Sequence, residues 1–113
     1  MKISAPVLDR DAAMARVGGD LPLLREIAAL FLDTCPQSLA DLRTAIEGAD
    51  APAVEREAHG IKGSVANFGA QPAVAAALEL EQMGRRGDLS QATRAYECLS
   101  SSLAALCREL QAL

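Results

Sequence analysis

The chain has 113 residues, which suits one domain. Half of its residues are hydrophobic but only 3% are aromatic, so the core must be built from small aliphatic side chains, of which Ala and Leu favour helices. The net charge of −4 argues against nucleic acid as a partner, because neutralising phosphates requires a basic surface.

The sequence also predicts no membrane insertion. Its longest apolar segment, residues 21–32, is interrupted by Arg25 and Glu26 and is too short to cross a bilayer. The N-terminus lacks the apolar region of a signal peptide. We therefore expect a cytoplasmic location, either as a separate protein or as the cytoplasmic part of a larger one.

The first elements along the chain are a tail and a short helix. Residues 1–8 are predicted to form an N-terminal tail, and residues 9–113 the folded domain. Asp9 is expected to cap a first helix that ends near Arg16, where Gly18 and Gly19 stop it.

A second helix is predicted to begin after Asp20, with Pro22 in its first turn. The residues expected on its apolar face are Leu23, Leu24, Ile27, Leu30 and Phe31. Pro36 then interrupts the pattern, because a proline inside a helix lacks the N–H donor and clashes with the preceding turn. Two alternatives remain open: one long helix that kinks at Pro36, or a break after which Thr34 caps a new helix ending near Glu47.

Three more helices follow. A third is predicted from about Ala51, capped by Asp50, to about residue 67 or 68, with Gly69 in the left-handed conformation behind it. A fourth is predicted from residue 71 to Gly84, followed by a turn at residues 85–87. Asp88 is expected to cap a last helix that runs to the end of the chain. The apolar faces predicted for these two helices are Val74, Ala77, Leu78 and Leu80, and Ala92, Ala95, Tyr96, Leu99, Leu103, Leu106 and Leu110.

No strand pattern is present in the sequence. Amphipathic helices joined by short turns predict an all-α fold, an antiparallel up-down four-helix bundle with one or two short N-terminal helices. A monomer is expected, because no second apolar face is evident. Cys35, Cys98 and Cys107 form no C-x-x-C motif, so we expect them to be buried and reduced.

One stretch of the third helix, residues 57–70, holds the only histidine of the chain, His59. Lys62 and Gly63 lie three and four positions later and share its helix face. An apolar stripe on the same helix consists of Val54, Ala58, Ile61, Val65 and Phe68. At about 100° per residue, His59 lies roughly 140° from the centre of that stripe, so its side chain is predicted to face solvent.

These residue types suit phosphoryl transfer. A neutral imidazole is a nucleophile that can attack a phosphoryl group held as an acyl phosphate by a partner. Lys62 would neutralise charge on the phosphoryl oxygens. Gly63 and Gly60 would leave room for the partner's site to close over the ring, although each glycine inside a helix costs about 0.5–1 kcal/mol. The sequence contains no nucleotide-binding motif and no carboxylate cluster for Mg²⁺, so it predicts a group carrier rather than an enzyme.

Residues 59–64 (His-Gly-Ile-Lys-Gly-Ser), preceded by Ala58 and followed by Ala-Asn-Phe-Gly-Ala at 66–70, resemble the signature of histidine-containing phosphotransfer (HPt) domains. Residues 80–89 resemble the next turn of that family, and residues 31–42 its preceding helix. The resemblance implies a four-helix bundle whose exposed histidine accepts a phosphoryl group from an aspartyl-phosphate receiver domain and passes it to another receiver.

The resemblance also implies roles for single residues. The phosphorylated histidine, the lysine near the phosphate and the small glycine of the family match His59, Lys62 and Gly63. Val65 departs from the pattern, since a small residue is common there. The partners implied are response-regulator receiver domains and a hybrid sensor histidine kinase, with no cofactor or metal bound by this chain and Mg²⁺ on the receiver.

Candidate partner-binding residues are Arg56, Gly60 and Ala66. Arg56 would steer an acidic receiver, although a plain surface charge explains it equally well. Ser64 and Asn67 fit packing or local hydrogen bonding better than catalysis, and the arginines at 85 and 86 fit the turn.

Two other functions remain open. The chain could be the phosphoacceptor domain of a chemotaxis-type histidine kinase, which has a similar fold and motif but takes its phosphate from ATP on a kinase domain. It could also be an interaction-only bundle whose His59 is never phosphorylated. A metal site at His59 is disfavoured, because the sequence has no second histidine and no cysteine pair at ligand spacing.

Overall fold

The structure, a computed structural model, describes residues 5–113; residues 1–4 of the predicted tail lie outside this range. The described residues form five helices and no strand. The helices are α1 (Arg10–Arg16), α2 (Leu21–Glu47), α3 (Ala51–Ala66), α4 (Gln71–Arg86) and α5 (Ala92–Gln111). The all-α class is therefore confirmed, with one short N-terminal helix before four long ones. Nowhere in residues 5–113 does a helix combine the length and apolar character that crossing a bilayer would require.

The four long helices enclose one core. α2 packs on α3, α3 on α4, α4 on α5, and α5 closes the bundle against α2, while α1 packs on α2. The short connections between consecutive helices fit the up-down arrangement. The core is mostly Leu, Ala and Val, and its aromatic contact is an edge-to-face pair, Phe31 and Phe68, with ring centroids 5.5 Å apart.

Aspartates begin the first three helices as predicted. Each accepts a hydrogen bond from a backbone N–H three residues later, which satisfies a donor that the helix itself cannot pair. The three contacts are Asp9 to Ala12 at 3.0 Å, Asp20 to Leu23 at 3.1 Å, and Asp50 to Ala53 at 3.1 Å.

The N-terminal segment is anchored to the end of α3. The backbone N–H of Asp9 donates to the carbonyl of Phe68 at 3.0 Å. Gly69 has φ of +58°, as predicted, and a Cβ there would lie 2.7 Å from the Cβ of Asp9. Leu8, within the predicted tail, is buried, and Val7 packs partly against the core.

Pro36 does not divide α2. The helix runs without interruption from Leu21 to Glu47, so the break with a new cap at Thr34 is excluded. The Thr34 hydroxyl instead donates to the carbonyl of Phe31 at 3.3 Å.

Two predicted helix boundaries, the end of α4 and the start of α5, were wrong. α4 continues through residues 85 and 86 and closes at Gly87, whose φ is +71°, so the predicted turn is helical. Asp88 does not cap α5, because its carboxylate instead accepts from the N–H of Ser90 at 3.1 Å and from its hydroxyl at 2.7 Å. α5 begins only at Ala92, after Gln91.

Some predicted core positions are exposed. Leu30 is 65% exposed, and Leu23 and Leu78 are also exposed. The face of α2 that the core buries is instead Leu24, Ala28, Phe31, Cys35, Leu42 and Ala45.

Of the three cysteines only Cys35 is buried, because Cys98 faces solvent and Cys107 is half-buried. For α5, the predicted stripe is confirmed except at Tyr96, which is half-buried and donates its hydroxyl to the carbonyl of Leu39 at 3.3 Å.

Candidate functional site

His59 lies in the middle of α3 and faces solvent. Its side chain is 67% exposed, as the helical rotation predicts. The predicted apolar stripe is buried at all five positions: Val54, Ala58, Ile61 and Val65 on the opposite side of α3, and Phe68 just after its end. Burial of that stripe therefore fixes the direction in which His59 points.

The packing of α4 on α3 places Glu81 beside the imidazole. Glu81 Oε2 lies 3.1 Å from His59 Nδ1, although the two residues are 22 positions apart. The Glu81 side chain is only 5% exposed. A carboxylate can only accept, so the hydrogen in this contact belongs to Nδ1.

Lys62 contacts the other oxygen of the same carboxylate. Its Nζ lies 2.7 Å from Glu81 Oε1, and its side chain is 27% exposed. Hydrogen bonding from Lys62 holds the pKa of Glu81 below its ordinary value against the opposing effect of burial, and the contact with His59 lowers that pKa further. Glu81 is therefore ionised at neutral pH and links the imidazole to the ammonium.

Arg85 is a further cation at the site. The prediction that it serves the turn after α4 was wrong, because it lies within α4. Its Nε lies 2.9 Å from Glu55 Oε2 on α3, and a terminal nitrogen lies 3.2 Å from Glu81 Oε2. Arg85 thus bridges α4 to α3, and it contacts the same Glu81 oxygen as the His59 ring. Glu81 therefore has hydrogen-bonding contacts with His59 and Arg85 at Oε2 and an ion pair with Lys62 at Oε1, which together compensate for the burial of its charge.

The two glycines near His59 are not required by the bundle itself. A Cβ built at Gly60 or at Gly63 meets no atom within 4 Å. Gly84 is the opposite case, because a Cβ there would lie 2.5 Å from the backbone nitrogen of Glu55. Gly84 permits the close approach of α4 to α3, whereas Gly60 and Gly63 leave a bare surface open to solvent.

The remaining predicted site residues lie on the same helix. Arg56 is exposed, and its contact with Glu57 is long, at 3.8 Å between Nε and Oε1. Ala66 is half-buried. The Ser64 hydroxyl donates to the carbonyl of Gly60 at 3.2 Å, which is the local hydrogen bonding that the sequence predicts.

Glu81 is the residue that the sequence pattern leaves without a role. The signal that could have identified it is a carboxylate on the buried face of α4, between Leu80 and Met83. Charged residues are rarely buried unless paired, so such a position predicts a partner on a neighbouring helix. Identifying His59 and Lys62 as that partner requires the register of α3 on α4.

The arrangement has no metal-site character. Within residues 5–113, no three His, Cys, Asp or Glu side chains come together as ligands. The site offers instead an exposed imidazole with one ring nitrogen held by a carboxylate, an adjacent ammonium, and open backbone at Gly63. Such a site can accept a group from a large partner that approaches α3.

Comparison with known proteins identifies one matching family and two similar solved structures. The family model described as Hpt domain matches residues 26–113. The crystal structure of histidine-containing phosphotransfer protein B (HptB) from Pseudomonas aeruginosa PAO1 is similar to this chain, with a TM-score of 0.87 and 27% identity over 96% of this chain and 94% of that one.

A second solved structure shares the fold. The HPT domain of an Hpt sensor hybrid histidine kinase from Shewanella gives a TM-score of 0.81 at 17% identity, covering 93% of this chain and 91% of that one. No curated protein matches the sequence significantly.

Proposed function

The chain belongs to the Hpt domain family and has a histidine phosphotransfer role in a two-component phosphorelay, and on that premise we propose that His59 is its phosphoacceptor. His59 would accept a phosphoryl group from the aspartyl phosphate of a receiver domain and pass it to another receiver. The observation that carries the proposal is the placement of the only histidine: 67% exposed, on the open face of α3 beside Lys62 and Gly63.

The transfer balances without any group from a third molecule. A lone pair on the imidazole attacks phosphorus, the N–P bond forms, and the P–O bond to the receiver's aspartate breaks, returning that aspartate as a carboxylate. Lys62 would neutralise charge on the three phosphoryl oxygens, and the Mg²⁺ expected on the receiver would supply further positive charge there. The reverse step loads the second receiver.

Members of this family are phosphoryl carriers. For this chain, the proposal also covers cofactors, enzymatic activity, location, oligomeric state and partners. It binds no cofactor or metal of its own, is no enzyme in its own right, and acts as a cytoplasmic monomer. Its partners are response-regulator receivers and a hybrid sensor histidine kinase.

The receiver is proposed to dock across α3 and the neighbouring part of α2. Leu30, 65% exposed, lies with Ile27 at a groove that Ser64 and Asn67 complete from α3. The exposed Leu30 and the half-buried Ile27, in a groove that reaches Ser64 next to Gly63 in the chain, offer the apolar contact that a docking protein needs. Arg56 and Gly60 extend the same face.

The proposal is tested by incubating the chain with a phosphorylated receiver and Mg²⁺. We expect an acid-labile, alkali-stable phosphate to appear on the chain as the receiver loses its own. If only a kinase domain with ATP phosphorylates the chain, the chemotaxis-type function is correct instead. Absence of phosphate with both kinds of donor would leave an interaction-only bundle.

Gly63→Leu is expected to reduce transfer from the receiver by at least about tenfold, equivalent to about 1.4 kcal/mol of docking free energy. The new side chain would occupy the open surface without disturbing the bundle, since its Cβ meets nothing within 4 Å. Transfer rates and melting temperatures check this.

Gly63→Ala is the matched control for this experiment. It adds a single methyl group, should retain most of the transfer, and should stabilise α3 by about 0.5–1 kcal/mol. Unchanged transfer in Gly63→Leu would refute a steric role for this position.

A further inference from the structure

Two of the three cysteines meet in a groove between α2 and α5, away from the residues that surround His59. Cys35 of α2 and Cys107 of α5 both line this groove, which has a volume of about 390 Å³ and contains no residue of α3 or α4. Its apolar walls include Leu32, Leu39 and Leu103. Both thiols are free, so a reactive pair of side chains lies here that phosphoryl transfer does not use.

The two thiols are neighbours across the interface between the helices. Burial raises the pKa of Cys35 to about 11, and the charge and hydrogen bonding of the Cys107 thiol add to that rise. Such an effect requires the two sulfurs to be close together. Cys98 does not belong to the pair: it precedes Cys107 by nine positions, a rotation of about 180°, and it faces solvent on the other side of α5.

We propose that Cys35 and Cys107 form a peroxide-sensitive dithiol, which oxidation converts into a disulfide that joins α2 to α5. The inference does not depend on the proposed role of His59. A thiol pair explains the arrangement better than a metal site, because within the described part of the chain no third His, Cys, Asp or Glu completes a set of ligands.

The different accessibility of the two thiols assigns their order of reaction. Cys107 is half-buried at the groove, whereas Cys35 is buried. With a pKa near 11, Cys35 also stays protonated at neutral pH, and a thiol is a weaker nucleophile than a thiolate. Hydrogen peroxide therefore reacts first with Cys107, and Cys35 is the resolving thiol.

The oxidation balances in two steps. The sulfur of Cys107 attacks one peroxide oxygen, the S–O bond forms, the O–O bond breaks, and the departing hydroxide takes the thiol proton as water. The sulfur of Cys35 then attacks the sulfenic sulfur, the S–S bond forms, the S–O bond breaks, and hydroxide leaves with the Cys35 proton as a second water. The two thiols together lose two electrons, and the peroxide is reduced to two water molecules.

Pro36 gives α2 local freedom where the disulfide would form. It follows Cys35 directly inside the helix and cannot donate to the carbonyl of Leu32, so one helical hydrogen bond is missing beside the thiol. A disulfide requires a specific placement of the two Cβ atoms, and backbone that lacks a hydrogen bond adjusts to it more readily. The link would then hold α2 against α5 at a weak point of the helix.

The first test treats the unaltered chain with hydrogen peroxide and counts free thiols after denaturation. We expect three thiols before treatment and one afterwards, with a proteolytic fragment that links Cys35 to Cys107 within one chain. Dithiothreitol should restore all three. A link that involves Cys98, or oxygen added to the cysteines without any link, would overturn the proposal.

The second test compares the melting temperatures of the oxidised and reduced protein. The link constrains the unfolded chain across most of its length, so oxidation should raise the melting temperature by at least about 8 °C. Cys98→Ser, the matched control on the same helix, should keep both the link and this rise.

Cys107→Ser should lose the link and the rise, while its reduced form melts within about 4 °C of the reduced unaltered chain. An equal rise in oxidised Cys107→Ser, or no rise in the unaltered chain, would refute the role of this pair.

Discussion

Replacing His59 by glutamine is expected to abolish phosphorylation of the chain completely while leaving the bundle folded. The sequence contains no second histidine that could take over the phosphoryl group. The side chain is 67% exposed, so its replacement removes no core packing, and the glutamine amide can still donate to Glu81. We expect the free energy of unfolding to change by no more than about 0.5 kcal/mol, as is usual for surface positions.

The measurement is transfer of labelled phosphate from a receiver, with the melting temperature of the same sample as the control for folding. Acid-labile phosphate on the folded variant would show that the acceptor is another residue. Normal signalling by the unphosphorylated variant in cells would instead support the interaction-only bundle.

The second large effect is expected at Gly84, far from solvent. An alanine Cβ there would lie 2.5 Å from the backbone nitrogen of Glu55 and 2.8 Å from the carbonyl oxygen of Ala51. Both are backbone atoms of α3 that cannot move aside alone, so α3 and α4 must separate. We expect Gly84→Ala to destabilise the chain by roughly 3 kcal/mol, the upper part of the range for overpacked cores.

The separation of α3 and α4 would also affect the site, because Glu81 lies one turn before Gly84 on α4. Its contacts with His59 and Lys62 span the same interface and should lengthen with it. Phosphoryl transfer is therefore expected to fall in Gly84→Ala even at temperatures where the variant is folded. Urea unfolding and transfer rates measure the two effects independently.

Gly60→Ala is the matched control for Gly84→Ala. It makes the same substitution inside a helix, at a position where the Cβ meets no atom within 4 Å. The expected result is a stabilisation of about 0.5–1 kcal/mol from helix propensity. Equal destabilisation of both variants would mean that the contact with α3 is not the reason for Gly84.

Local patterns in the sequence determined most of the helices and the direction of His59. Aspartate caps act on the next three residues, so Asp9, Asp20 and Asp50 could be identified without any tertiary information. The rotation of 100° per residue relates His59 to an apolar stripe on the same helix, and burying that stripe turns His59 outward. Lys62 and Gly63 lie three and four positions after His59, so their place on the same helix face also follows from helical geometry alone.

Patterns on a helix were insufficient where two apolar faces compete. α2 carries leucines on neighbouring faces, and the structure buries Leu24 while leaving Leu30 65% exposed. Periodicity predicts that a face is buried but cannot decide between adjacent faces, because that depends on where α3 and α5 press against the helix. The continuity of α2 through Pro36 was open for the same reason, since packing along its whole length outweighs one unfavourable residue.

Only the tertiary structure decided the environment of the imidazole. His59 and Glu81 are 22 positions apart and meet at 3.1 Å, and Arg85 reaches Glu55 across 30 positions. These contacts follow from the register and the short distance between α3 and α4, which Gly84 permits. A shift of one turn, about 5.4 Å, would preserve every helical pattern in the sequence and separate Glu81 from the ring. His59 could therefore be identified as the candidate acceptor from the sequence, whereas the carboxylate beside it required the packing of two helices.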